Sequence, residues 1–197
     1  MQEFLQFAQR IGLVGITNFL IGLSGLILIP ILTKTLPIEE YGTYVQITVT
    51  INLIPGMVML GLPYTMVRFL AAVKSREEIR EGYYSIMGIT IVTAGVTSIA
   101  LFILAEPIAT TLFDNQVAAT QILAAIVFLE CINGLQFSYF RTFQQIKRYS
   151  SLTFFKTCLQ LLMVGALVLA GYGIFGAAIG LFIADVVLFL GMGVLIV

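Results

Sequence analysis

RFLAAVKSREEIREGYYSIMGITIVTAGVTSIALFILAEPIATTLFDNQ, residues 68–116, decides the fold. It opens on four basic side chains (Arg68, Lys74, Arg76 and Arg80), crosses an apolar run at 83–104, and leaves through a connection without Lys or Arg. An apolar run of that length spans the roughly 30 Å hydrocarbon core as a helix. The unequal charge at its two ends orients it, because basic residues collect on the cytoplasmic side. Working outward, the same unit repeats. Six apolar stretches follow one another, at about 11–34, 41–64, 83–104, 118–140, 151–170 and 174–197, and a second basic connection, RTFQQIKRYS, occupies 141–150. With the N-terminus cytoplasmic, that side receives Arg10, Arg68, Lys74, Arg76, Arg80, Arg141, Lys147 and Arg148. The other side receives only Lys34, and Lys156 falls inside the fifth stretch. The expected protein is an all-α bundle of six transmembrane helices in the cell membrane, with both termini cytoplasmic.

Composition agrees. Apolar residues make up 59% of the 197, charged residues 10%, and the mean hydropathy is +1.05. No soluble domain of this size covers so much apolar surface. Ten basic residues balance ten acidic ones, so nothing points to nucleic acid. The absence of His removes histidine metal sites and histidine bases, and Cys131 and Cys158 form no spaced motif. There is no P-loop, dinucleotide fingerprint, nucleophile elbow or zinc-protease helix, and no enzyme is expected. Residues 1–10, MQEFLQFAQR, read as an amphipathic lead-in, with Phe4, Leu5 and Phe7 on the interface and Arg10 at headgroup level. Pro30 predicts a bend in the first span, and Pro37 with Glu39 and Glu40 suits the first turn of the second. Residues 68–81 predict a short amphipathic helix on the membrane surface. The apolar ending GMGVLIV reads as one lobe of a longer protein.

Ionisable groups inside a span each cost about 2.5–3.5 kcal/mol on insertion scales, so they mark candidate sites. Glu130 lies mid-span, with Asn133, Phe137 and Arg141 following on the same helix face. Lys156 lies inside the fifth span, with Thr153 and Gln160 on its face, and Asp185 lies mid-way along the sixth. By rise per residue Glu130 and Lys156 stand within roughly 5–10 Å in depth, so neighbouring helices would let them meet. Such a carboxylate either binds a coupling proton or sodium ion, or is half of a fixed ion pair. Asp185 has no base in its own helix and suits a cavity role. Asn18 and Asn52 add mid-span polarity, as cavity groups or as interhelical hydrogen bonds. Gly22 with Gly25, and Gly176 with Gly180, predict faces of close helix contact.

Three stretches carry a resemblance. LTKTLPIEEYGTY (32–44) and GLPYTMVRFLA (61–71) resemble the opening helices of bacterial and archaeal polysaccharide biosynthesis membrane proteins, and GYGIFGAAIGLFIADV (171–186) is similar to the start of their sixth helix. These are lipid-linked oligosaccharide flippases of the multidrug/oligosaccharidyl-lipid/polysaccharide exporter superfamily. The resemblance covers nearly the whole chain and implies one lobe, the N-terminal one, of a transporter with twelve to fourteen helices around a central cavity. It implies a substrate, a prenyl-pyrophosphate-linked oligosaccharide moved between leaflets, with a proton or sodium gradient as drive and no other cofactor. The partners implied are membrane lipid and either a C-terminal lobe or a second copy. Arg68, Arg141, Lys156 and Arg10 are then the candidates to meet the pyrophosphate, although no arginine lies at mid-depth as a cavity lining. Two other readings stay open: a cation-coupled drug or small-solute antiporter, and a non-transport assembly module or inactive fragment.

Overall fold

The computed structural model describes residues 2–196, with side chains from residue 12 onward. Among the described residues the chain is wholly helical: α1 (Gln2–Thr35), α2 (Ile38–Val58), α3 (Leu62–Phe69), α4 (Arg76–Ile103), α5 (Ala105–Leu112), α6 (Val117–Thr142), α7 (Ile146–Leu169) and α8 (Gly173–Ile196). Five of these are long and apolar enough to cross a membrane. The bent pair formed by α2 and the segment 62–72 brings the number to six when counted as one span. The protein is a multi-pass membrane protein built as a helical bundle.

Local chemistry sets most of the boundaries. Pro37 precedes α2, where its missing N–H costs nothing, and Glu39 and Glu40 stand at the positive end of the helix dipole. Leu60 (φ 47°) and Gly61 (φ 77°) turn the chain between α2 and α3 through 53°. Gly171 (φ 88°) and Gly173 (φ 56°) turn it between α7 and α8, in the left-handed region that glycine enters without steric cost.

Helix α1 runs on through Pro30 to Thr35. Two expectations are corrected. The surface helix expected at 68–81 does not form as one unit. Arg68 lies in the last turn of α3, a 3₁₀ turn follows at Leu70–Ala72, and Arg76–Glu81 are the first turns of the long α4. Gly22 and Gly25 face open space, with no atom within 4 Å of a Cβ built on either.

Helix α6 is the axis of the bundle. Half of its apolar span is buried, against 6% for α1. It packs against α2, α3, α4, α5 and α8, while α8 also lies along α7 and α1 leans almost entirely on α7. Small residues permit the closest crossing: a Cβ on Gly180 would stand 2.7 Å from the Val164 backbone nitrogen. Ser98 of α4 donates to the Ala124 carbonyl of α6 at 2.7 Å, satisfying a hydroxyl that lipid cannot. Two of the stretches that carry the resemblance, 32–44 and 171–186, also meet. Glu40 at the start of α2 accepts a hydrogen bond from the Ile174 N–H at the start of α8, 2.8 Å away.

Candidate functional site

α6, α7 and α8 each bring one ionisable side chain to a common place inside the bundle. Lys156 donates a hydrogen bond to Glu130 Oε1. Its Nζ lies 3.1 Å from Asp185 Oδ1, near enough for charge pairing though not aligned as a hydrogen bond. Lys156 and Glu130 keep 15% and 16% of their side-chain surface, whereas Asp185 keeps 1%. The cluster is therefore reached from one side and closed on the other. Asn133, one turn beyond Glu130 and fully buried, donates to the Asp185 backbone carbonyl at 3.2 Å, tying α6 to α8 beside the cluster.

The charges are unequal. Two carboxylates face one ammonium, and Asp185 Oδ2 and Asn133 Oδ1 have no hydrogen-bond partner among the described residues. Buried acceptors of this kind ordinarily hold a donor. Two more such groups are Gln136 Oε1 and Ser150 Oγ. Gln136 follows Glu130 by six residues and Ser150 precedes Lys156 by six, so each is displaced about 9 Å toward the end of the bundle where Arg141 lies. Sequence reading singled out neither, because uncharged polar groups near the end of a span carry no insertion penalty large enough to stand out.

The other candidates are dispersed. Gln160 lies one turn beyond Lys156 and is half-buried. Asn18 is exposed on α1, and Asn52 is exposed on α2, where its amide donates to the Thr48 carbonyl at 2.7 Å. Neither joins the ionic cluster. Arg68 is exposed and stacks over the Phe69 ring at 5.7 Å. Arg141 donates to Ser138 Oγ at 3.1 Å and lies 5.7 Å from the Tyr149 ring, on the α6 face shared with Phe137. The Arg10 side chain, like those of Phe4, Leu5 and Phe7, lies outside the described residues. Asp185, for which its own helix offers no base, finds Lys156 on α7. Cys131 and Cys158 are free thiols. Among the described residues no group of three or more His, Cys, Asp or Glu side chains could hold a metal ion.

Neither the curated proteins nor the solved structures contain a match to this chain. A family does match: the one described as "Polysaccharide biosynthesis protein" covers residues 7–197. With nearly the entire chain inside that match and six apolar spans in the fold, the protein belongs to the polysaccharide biosynthesis membrane protein family.

Proposed function

We propose that the chain moves lipid-linked oligosaccharide or polysaccharide precursors across the cytoplasmic membrane, with Glu130, Lys156 and Asp185 as the place where a coupling cation is taken up and released. The broader role stands on family and fold: a multi-pass membrane protein of a transporter class concerned with polysaccharide, not an enzyme. The finer reading is carried by one observation, the sharing of one ammonium by two carboxylates inside the bundle. With all three groups ionised the cluster has one negative charge in excess. A low-dielectric interior favours neutralising it with one proton or one sodium ion. The partial exposure of Glu130 and Lys156 supplies the access that exchange requires, and Gln136 with Ser150 supports a polar route toward the basic end.

On this reading the exposed polar groups of α1 and α2, Asn18 and Asn52 among them, line a wet cavity closed by a second lobe or a second copy. Arg141 and Arg68, with Arg10, receive the pyrophosphate at the basic end while the prenyl tail stays in lipid. The eight-to-one distribution of basic residues supports cytoplasmic termini.

The test is complementation in cells that lack their own oligosaccharide flippase and assemble the glycan of this chain's host, with membrane insertion checked. The native chain is expected to restore surface glycan, and Glu130→Gln/Asp185→Asn to restore at least tenfold less at equal membrane levels. Equal restoration by both would remove the coupling role. Failure of the well-inserted native chain would count against transport by this chain.

A further inference from the structure

The basic end of the bundle holds a second feature that the transport reading does not use. A cavity of about 630 Å³ opens between the first turns of α4, the end of α6 and the end of α8, lined by Arg76, Arg80, Tyr83, Tyr139, Phe143 and Gln145 among others. Gln145 also lines a neighbouring cavity of about 440 Å³ together with Lys147 and Arg148. Four cations thus surround one shared residue. None of the four makes an ion pair with a carboxylate among the described residues, and none of Glu77, Glu78 and Glu81 lines the larger cavity. Arg148 is held by a hydrogen bond to Gln145 Oε1 at 2.9 Å. The cavity wall is firm, since Tyr83 packs edge-on against Tyr139 at 5.1 Å and Tyr139 against Phe143 at 4.7 Å.

Guanidinium groups present the planar fork that phosphate oxygens accept, and basic pockets between transmembrane helices take phosphorylated lipid headgroups. A free anion would need only the charged half of such a site. Here an apolar groove adjoins the charged cavity. Tyr84 lines both the basic cavity and a groove of about 430 Å³ that runs up α4 past Ser85, Gly88, Ile89 and Val92 to Thr93. From Tyr84 to Thr93 the helix rises about 13 Å, a distance suited to the upper part of an acyl chain. Gly88 keeps the floor of the groove open, with nothing within 4 Å of a Cβ built there. Tyr84, half-exposed at the junction, presents an apolar ring and a polar hydroxyl where headgroup gives way to hydrocarbon.

We propose that this cavity and the groove adjoining it at Tyr84 bind an anionic phospholipid, its phosphate between Arg76 and Arg80 and one acyl chain along the Gly88 face of α4. The site goes beyond the transport reading and does not depend on it. Only the choice of the cytoplasmic leaflet follows from the orientation proposed above.

The experiment is native mass spectrometry of the purified chain in non-ionic detergent. It is titrated with dioleoyl phosphatidylglycerol, with phosphatidylcholine of the same chains, with inorganic phosphate and with a prenyl pyrophosphate. Phosphatidylglycerol is expected to bind at least tenfold more tightly than phosphatidylcholine, and inorganic phosphate to displace it only weakly. Arg76→Gln/Arg80→Gln is expected to abolish the preference. Gly88→Leu, which fills open space and leaves the arginines in place, is expected to weaken phosphatidylglycerol several-fold with an unchanged thermal unfolding temperature. Equal affinity for the two phospholipids, or a preference that survives the double variant, overturns the proposal. So does an unaltered affinity in Gly88→Leu. Prenyl pyrophosphate binding tenfold more tightly than phosphatidylglycerol, and lost in the same double variant, would reassign the cavity to a transport substrate. None of these readings involves transport, so failure of either proposal is recognisable separately.

Discussion

Lys156 stands between two acids and is the one cation paired with either of them among the described residues. Removing one partner of a buried ion pair costs about 3–5 kcal/mol, because the charge left behind has no counterpart. Lys156→Met should therefore lower the thermal unfolding temperature of the detergent-solubilised protein markedly. Neutralising all three positions, as Lys156→Met/Glu130→Gln/Asp185→Asn, should return most of that stability, since neutral replacement of an intact buried cluster is often tolerated. The same triple variant should fail to restore surface glycan, and a triple variant that restores both would make the cluster a scaffold only. All three members of this cluster were legible in the sequence, because a charge in an apolar run is costly wherever it stands. The pairing of Asp185 with Lys156 was not. Lys156 lies 29 residues earlier in the chain, and only the packing of α8 along α7 brings it within 3.1 Å.

Helix ends were read less well than helix existence. Hydropathy locates a span, but it stops reporting at the interface, where charged residues are compatible with both a surface helix and the first turns of a long one. That is why Arg76–Glu81, the first turns of α4, read as part of a surface helix, and why α5 reads as a bare connection. Glycine contacts were half legible for a related reason: spacing gives a small-residue face but not which neighbour covers it. Gly180 meets α7 closely, and Gly22 meets nothing. The link between Glu40 and α8 joins residues 134 apart and left no local trace. Glu40→Ala should strip an anionic acceptor from the start of α8 and cost about 0.5–2 kcal/mol, in the range of an ordinary helix cap. Glu40→Gln, which keeps an acceptor oxygen, should cost less. Thermal unfolding of the two variants side by side checks the order. Equal losses would mean that the charge, not the hydrogen bond, matters there.

At the scale of the whole molecule, exposure has two meanings, since a side chain can face lipid or a watery cavity. Ile99 of α4 is 62% exposed and apolar, as a lipid-facing residue should be. Asn18 and Asn52 are exposed and polar. In a chain with Cys131 and Cys158 replaced by alanine, single cysteines at positions 18 and 52 should react with a water-soluble thiol reagent, and one at position 99 should not. Protection of all three would place the asparagines against lipid or a tight protein seam. The six-span plan could be read from hydropathy and charge alone, because both are properties of the chain summed over tens of residues. Which helix lies at the centre could not, because every span is apolar and only packing separates α6 from the rest.

The near isolation of α1 has a consequence for how the protein is made. Its one extensive contact is with α7, which begins about 110 residues after α1 ends. At ribosomal speeds of 5–20 residues per second, that gap lasts on the order of ten seconds. Throughout that interval α1 sits in the bilayer as a solitary helix, carrying Asn18 with no lasting neighbour to shield it. Insertion machinery that holds early helices should therefore crosslink to α1 in stalled chains ending before residue 146. The crosslinks should vanish once α7 has emerged, which makes the seventh helix the event that completes the first.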